Sequence, residues 1–409
     1  VSLMAGPLAG YKVLDMSRVL AGPWAGQMLA DLGAEVIKIE RPEVGDDTRH
    51  WGPPYLKDKA GNDTADAAYF FCTNRSKQSV TVDITRPEGQ EIIRQLALQC
   101  DVLIENYKVG GLKKYGLDYA SIAEINPRLI YCSITGFGQT GPYAERPGYD
   151  FLIQGMGGLM SITGEPDSEN GGPVKVGVAV TDLFTGLYAA NAIQGALLER
   201  HQSGLGQYID LALLDVQAAV LANQASNYLT GGTVPGRLGN AHPNIVPYQA
   251  FATADGHLIL AVGNDSQFKR LCSVLDMPDW ADNSHYATNS ARVVNRQSLC
   301  AEISQRLAQQ GSGHWLHLLE QHQVPCGPIN SIDQVFQNPQ ILARNMLVTM
   351  EDKRAGEVPL VGNPINYSRS EIQYTAPPPM LGDNTDSVLG EYLEYTELEI
   401  STLRNKSII

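Results

Sequence analysis

Apolar positions along the first half of the chain follow two alternating rhythms. Short continuous runs rich in Val and Ile, at 11–15, 35–40, 80–84, 101–105 and 129–133, have the length and composition of strands. Stretches with helical spacing lie between them. One covers 22–32, with Pro23 in its first turn and Gly33 as its stop. Another opens at Thr85-Arg86-Pro87-Glu88, where a proline near the first helical position is followed by an acid at the helix's positive end. Strands separated by helices predict βαβ units and a mostly parallel sheet. Ligands of such sheets sit beyond the carboxyl ends of the strands, which directs attention to segments 17–21, 41–49, 106–114 and 135–149.

The middle of the chain predicts two long apolar helices, 183–201 and 213–228, around a strand at 207–211. The rhythm changes after 245. Runs at 248–253 and 257–263 flank Ala254-Asp255-Gly256, a hairpin signal, and helices are expected at 266–275, 297–309 and 315–321. This block reads as a smaller α+β domain. The tail has short strands at 347–350 and 358–361, a proline-rich turn at 376–379 and a helix from about 387.

Composition narrows the function. Of 409 residues, 43% are hydrophobic and 18% charged, which suits packed cores and excludes a disordered chain. Lys and Arg total 30 against 44 Asp and Glu, a net charge of −14. That excludes the broad basic surface needed for nucleic acid or anionic lipid, but not a small basic pocket for an anionic cofactor. No apolar run approaches the roughly 20 residues of a membrane span, so no membrane partner is expected. The cysteines at 72, 100, 132, 272, 300 and 326 form no C-x-x-C pair. They read as reduced thiols of a cytoplasmic compartment, or a mitochondrial one if the chain is a processed eukaryotic form. Met4 reads as a start residue behind a short leader, with no secretory signal after it.

Several kinds of chemistry lack their motifs. There is no phosphate-binding G-x-x-x-x-G-K-[ST] loop, no G-x-S-x-G elbow and no H-E-x-x-H pair. Gly136-Phe137-Gly138-Gln139-Thr140-Gly141 has dinucleotide-loop spacing, but Pro142 follows where a helix should open, so it reads as a plain glycine loop. His314 and His317 read as solvated helix positions, and no metal site is expected. One acid stands out. Asp182 ends an apolar run at the start of a long apolar helix. It is either an N-cap or a carboxylate nucleophile kept ionised by the helix's positive end. Arg49, in Gly45-Asp46-Asp47-Thr48-Arg49, is either a fork for an anionic substrate group or a holder of its own acidic loop. Asn106, Tyr107, Lys108, Lys113 and Lys114 are surface residues or contacts to phosphate and adenine.

At larger scale the motifs resemble a known family. Leu14-Asp15-Met16-Ser17-Arg18-Val19-Leu20-Ala21-Gly22-Pro23 and Asp31-Leu32-Gly33-Ala34-Glu35 through Pro42 resemble the opening of class III (CaiB/BaiF) CoA-transferases. Gly136 to Pro142, the Asp182 segment, Gly204-Leu205-Gly206-Gln207-Tyr208-Ile209-Asp210, Pro325-Cys326-Gly327-Pro328-Ile329 and Leu381-Gly382-Asp383-Asn384-Thr385 continue it in the family's order. Segments 45–54, 131–142 and 245–251 resemble succinyl-CoA:glutarate CoA-transferases in particular.

The resemblance implies an α/β fold: a Rossmann-like large domain over 1–222 and 331–409, and a linker helix with a small α+β domain over 223–330. It also implies two chains interlocked as rings in a homodimer. By position Asp182 matches the catalytic aspartate. Val19, Leu20, Ala21, Arg41, Val82, Asp83, Ile84, Thr85, Asn106, Tyr107, Lys108, Lys114, Pro147, Gly148, Tyr149 and Asp150 match the coenzyme A positions. Coenzyme A enters as substrate acyl-CoA, with no metal and no redox cofactor. Two departures argue against oxalate or formate as substrate: Leu20 stands where formyl-CoA transferases have glutamine, and segment 239–245 lacks their glycine run. The expected reaction moves CoA from succinyl-CoA to glutarate or another C4–C6 dicarboxylate through an aspartyl-CoA thioester. Arg49 is assigned the remote carboxylate, with Tyr149 and His242 lining the site. The alternatives are a 2-methylacyl-CoA racemase and a non-catalytic acyl-CoA-binding protein. Racemases carry Gly-His-Asp where this chain has Gly148-Tyr149-Asp150, and tyrosine, with a pKa near 10, is a poor substitute base. A plain binder needs no carboxylate at Asp182.

Overall fold

The structure, a computed structural model, describes residues 6–409; residues 1–5, including the proposed start Met4, lie outside the described residues. The chain forms two compact units. The larger comprises the chain up to Gly158, Val176–Ala225 and Gln340–Ile409. It carries β1 (Lys12–Asp15), β2 (Glu35–Glu40), β3 (Tyr55–Lys57), β4 (Asp63–Ala67), β5 (Lys77–Thr81), β6 (Val102–Glu105), β7 (Ile130–Thr135) and β8 (Tyr208–Ala212). Six of these pair in the order β5-β2-β1-β6-β7-β8, all parallel. Counted along the chain, that order is third, second, first, fourth, fifth, sixth. It is the doubly wound Rossmann arrangement, and its switch point lies between β1 and β6.

Strand periodicity sends neighbouring residues to opposite faces. Val13, Val36, Ile104 and Ile130 join one core with the helices Ala21–Asp31 and Val180–Ser203. Leu14, Ile37, Leu103 and Tyr131 join the other, with the helix Pro87–Gln99 and the chain's end, including Val388, Leu389, Ile400 and Ile408. Burial on both faces explains why these strands are continuous apolar runs. The tail also covers the sheet's edge. Ser79 N–H donates to Asn384 Oδ1 and Thr81 N–H to Thr385 Oγ1, each at 3.0 Å, and Asn384 N–H donates back to Ser79 O at 3.0 Å. These bonds occupy backbone groups that an open edge would leave free for aggregation.

The smaller unit holds Leu159–Lys175 and Ser226–Pro339. Its sheet is antiparallel, ordered β11-β10-β9, from β9 (Tyr248–Ala252), β10 (His257–Ala261) and β11 (Cys326–Pro328). Phe251, Leu258, Leu260, Phe268, Trp280, Trp315 and Leu319 form its core.

Three elements differ from expectation. β5 begins at Lys77 rather than 80, because buried Lys77 is paired with Asp15 and breaks the apolar pattern. The helix expected at 213–228 is two, Leu213–Ala219 and Ala222–Gly231, with Ala222 at φ 46°, a left-handed turn that periodicity does not report. The tail ends in two helices, Thr385–Leu393 and Glu397–Asn405. The second opens with a Thr396/Glu399 capping box, a start signal carried by the sequence itself.

Candidate active site

Asp182 is the third residue of the helix Val180–Ser203, whose N-cap is Ala179. It is therefore not an N-cap. The helix end is instead satisfied by Asp150, whose Oδ2 accepts from Thr181 N–H at 2.8 Å and Asp182 N–H at 3.1 Å. The Asp182 carboxylate is half-buried and makes no hydrogen bond or ion pair with the described residues. Burial, with the nearby Asp150 charge second, pushes its pKa up to about 7. The expectation that the helix end keeps Asp182 ionised is thus corrected: a different carboxylate has taken that end.

One turn further along, Gly186 is where the helix Ala21–Asp31 crosses. A Cβ there would lie 2.8 Å from Ala21 O and 2.9 Å from Trp24 Cδ1. Only a residue without a side chain permits this approach, which brings the loop after β1 to the turn that follows Asp182. That loop is shaped unusually. Val19 has φ 73°, a conformation β-branched residues rarely adopt, and its N–H faces Asp46 at 3.2–3.3 Å. Asn106, just past β6, clamps the same loop: Arg18 N–H donates to Asn106 Oδ1 at 2.9 Å, and Asn106 Nδ2 donates to Arg18 O at 2.7 Å. The segments 19–21 and 106–108 thus meet at the switch point of the sheet, where a nucleotide-bearing ligand is expected.

Residues 8–385 match the model of CoA-transferase family III. The chain belongs to this family. It is an enzyme of the CoA-transferase type. Over 385 residues it is 54% identical to a succinate–glutarate CoA-transferase of Agrobacterium fabrum, covering 94% of this chain and 95% of that protein. Over 403 residues it is 46% identical to the succinyl-CoA:glutarate CoA-transferase of Homo sapiens, covering 98% and 90%. A crystal structure of a CaiB/BaiF family protein from Brucella suis is similar at 50% identity, with a TM-score of 0.83, covering 95% of this chain and all of that one, 100%. The class III resemblance and the parallel α/β sheet are borne out.

The structure places the remaining expected site residues of this CoA-transferase in different settings. Arg41 is exposed directly after β2, and Val82, Asp83, Ile84 and Thr85 follow β5, where Thr85 N–H and its hydroxyl donate to Asp83 Oδ1. Tyr107 N–H donates to Glu105 Oε2 at 2.7 Å, and burial pushes the Glu105 carboxyl up to about 7. Lys108 and Lys114 are exposed, the latter with Nζ 4.6 Å from the Tyr115 ring centroid. Pro147 and Gly148 precede Tyr149, which is 66% exposed. Gly148 packs against Gly136 so closely that a Cβ on Gly136 would lie 2.5 Å from Gly148 Cα. That contact accounts for two glycines of the 136–148 segment without a dinucleotide. His242 belongs to the smaller unit, where its ring meets Tyr248 edge to face at 5.3 Å. Burial, then Arg296, lowers its pKa.

Arg49 departs furthest from its assignment. It is 2% exposed. Nε and Nη2 donate to the two oxygens of Glu40 at 2.8 and 2.7 Å, Nη1 to Asp66 at 2.7 Å and Nη2 also to Pro379 O at 3.1 Å. Phe70 lies under the guanidinium at 3.7 Å. With its fork committed to Glu40 and Asp66, no face is left for a substrate carboxylate. It does hold acids, as its second reading had it, but not those of its own loop. Asp46 instead pairs with Lys38 at 2.9 Å. Burial opposes the Asp46 charge, but Lys38 outweighs it and holds the carboxyl down at about 2.

Two residues near the site were missed. Arg18 is exposed at the switch point, 5.6 Å from the Tyr107 ring and 3.2 Å from Asp47. It lies within the segment 14–23, and its place after a strand end was the available signal. Tyr69, on the short helix Ala68–Phe71, has its pKa pushed up to about 12 by burial, then by Cys72, Asp182 and Asp150. Its ring meets Trp51 edge to face at 5.2 Å. No sequence signal marked it, because β3 and β4, which deliver it, are short and polar.

Proposed function

We propose that this CoA-transferase moves CoA from succinyl-CoA to glutarate or a similar C4–C6 dicarboxylate, with Asp182 as nucleophile. The observation that carries the reading is a half-buried, unpaired carboxylate beside the loop at the sheet's switch point. The names of the two relatives support the choice of acids.

Asp182 attacks the thioester carbonyl; the C–S bond breaks, CoA leaves as thiolate and a mixed anhydride remains. The thiolate attacks the aspartyl carbonyl, and the donor acid leaves as carboxylate, giving an aspartyl-CoA thioester. The acceptor carboxylate attacks that thioester and expels the thiolate, which then attacks the acceptor's carbonyl and frees Asp182. One thioester replaces another, and no proton or electron is gained or lost. Coenzyme A would lie along residues 19–21 and 106–108, with Arg41, 82–85 and Lys114 beyond the strand ends; exposed Arg18 and Lys108 suit its phosphates. Tyr149, in the larger unit with Asp182, is proposed to line the acyl end.

Incubating the enzyme with succinyl-CoA and a panel of acids, with CoA esters read by mass, should give glutaryl-CoA fastest and monocarboxylates slowest. Faster use of butyrate than of glutarate would remove the dicarboxylate assignment. The large and small domains of the family are proposed to interlock in a homodimer, supported by the return of residues 340–409 to the larger unit. Sedimentation at nanomolar concentration should then show no monomer. Among the described residues no helix is long and apolar enough to cross a membrane. The cytoplasmic or mitochondrial placement is supported by six cysteines, all free of disulfides.

A further inference from the structure

Asp150 and Asp182 are two carboxylates at one helix end, and the structure treats them unequally. Asp150 opens the helix Asp150–Met156 and turns its side chain onto the end of Val180–Ser203. Its Oδ2 takes the N–H groups of Thr181 and Asp182, and its Oδ1 accepts from Gln154 Nε2 at 2.6 Å. Gln154 is fully buried, and its Oε1 accepts from Val176 N–H at 2.9 Å. Thr181, also fully buried, donates its hydroxyl to Gln217 Oε1 at 2.6 Å. A chain of buried polar contacts therefore fixes the backbone that carries Asp182 and gives the helix's positive end to Asp150. Asp182 receives none of it.

We propose that Asp150 is the positioning residue of the nucleophile: by taking the helix N–H groups for itself, it leaves the Asp182 carboxylate unbound, aimed and reactive. The inference rests on the CoA-transfer reading above. A carboxylate stabilised by two N–H groups and a helix dipole is a weak nucleophile, because the energy that holds its charge must be given up as the bond to carbon forms. Leaving Asp182 without that stabilisation raises its basicity at the cost of a smaller ionised fraction near neutral pH. The ionisable groups coupled to it are Asp150, on the separate helix Asp150–Met156, and Tyr69, on Ala68–Phe71. Tyr69 stays protonated across the working range, Asp46 behind it stays ionised, and Cys72, pushed up to about 11 by burial, stays neutral. The like charge of Asp150 is therefore the adjustable part.

The test is the pH dependence of kcat/KM for succinyl-CoA. The wild-type enzyme should show an acid limb near pH 7, rate rising as Asp182 ionises. Asp150→Asn keeps an accepting oxygen and removes the charge. Its acid limb should move down by about one pH unit, and its plateau rate above pH 8 should fall several-fold. A uniform loss at every pH with the limb unmoved would overturn the proposal, since Asp150 would then merely hold the helix. Burial also pushes the Glu105 carboxyl up to about 7, so Asp182 is followed directly by the infrared carboxyl bands of 13C-aspartate-labelled protein, with Asp182→Asn as the subtraction. That measurement stands even if Asp150→Asn fails to fold: titration near 7 supports the proposal and titration below 5 overturns it. Trapping the aspartyl-CoA adduct in a single turnover judges the parent reading separately. Its absence in wild type removes Asp182 as nucleophile whatever the titration shows.

Discussion

Asp182→Asn should lose CoA transfer down to the assay background, about 10⁴-fold or more. An amide of nearly the same shape cannot form the mixed anhydride. The neighbouring carboxylate Asp150 is bound by two helix N–H groups and cannot substitute. Binding of succinyl-CoA should survive within a few-fold, because the proposed CoA contacts lie in other segments. The same change should stabilise the fold. Asp182 has a native pKa near 7 against about 3.9 in an unfolded chain, so the native state binds the extra proton between those values. The contribution of Asp182 to wild-type stability then falls as pH rises from about 4 to 7, and the asparagine variant does not share that fall. Above pH 7 the variant should be more stable by roughly 2–4 kcal/mol, and below pH 4 about equal. Urea denaturation at pH 8 and pH 4, with single-turnover kinetics, reads both effects. Turnover above about 1% of wild type, with deamidation excluded by peptide mass, would remove Asp182 from the chemistry.

Arg49→Ala should damage the protein rather than its substrate choice. The substitution leaves Glu40 and Asp66 as buried carboxylates without their shared cation, a change that costs about 3–5 kcal/mol. The loss spreads because Glu40 also accepts from the Ser79 hydroxyl at 2.7 Å and from Asp46 N–H at 2.9 Å, while Asp66 continues to Arg354. Burial works against the Glu40 charge, and Arg49 outweighs it, holding that carboxyl below its ordinary value. The ion pair therefore stabilises above the ordinary carboxylate range and fades as pH falls through the lowered native pKa. The variant's deficit should accordingly be large at pH 7 and shrink on acidification, where protonation relieves the buried Glu40 carboxylate. Arg49→Lys, which keeps the charge but not the fork, should lose less. The ratio of kcat/KM for glutarate to that for butyrate should stay at its wild-type value in whatever fraction folds. A selective collapse of glutarate use at normal stability would return Arg49 to the substrate site.

Much of the sheet was legible from the chain alone because its strands are buried on both faces. Such strands must be apolar at consecutive positions, so 35–40 reads directly, and 11–15, 101–105 and 129–133 lie within a residue or two of the strands found. The hairpin at 248–261 was legible for another local reason, the Asp-Gly turn between alternating runs. Asp182 was visible because an acid is rare where an apolar run becomes a helix, and the resemblance to the family supplied the role proposed for it.

What the sequence could not determine was which charges find each other. Lys77 sits in β5 because Asp15, 62 residues earlier, pairs with it at 2.9 Å. Arg49 looked like a free fork until Glu40 and Asp66, carried on β2 and β4, closed on it. Asp182 looked like the owner of its helix end until Asp150, 32 residues before it, took the N–H groups. Local pattern records whether a side chain prefers water or a core, since that preference belongs to the residue itself. Ion pairs and pKa values depend on distances of a few ångströms between segments far apart in the chain, and only the folded arrangement sets those distances.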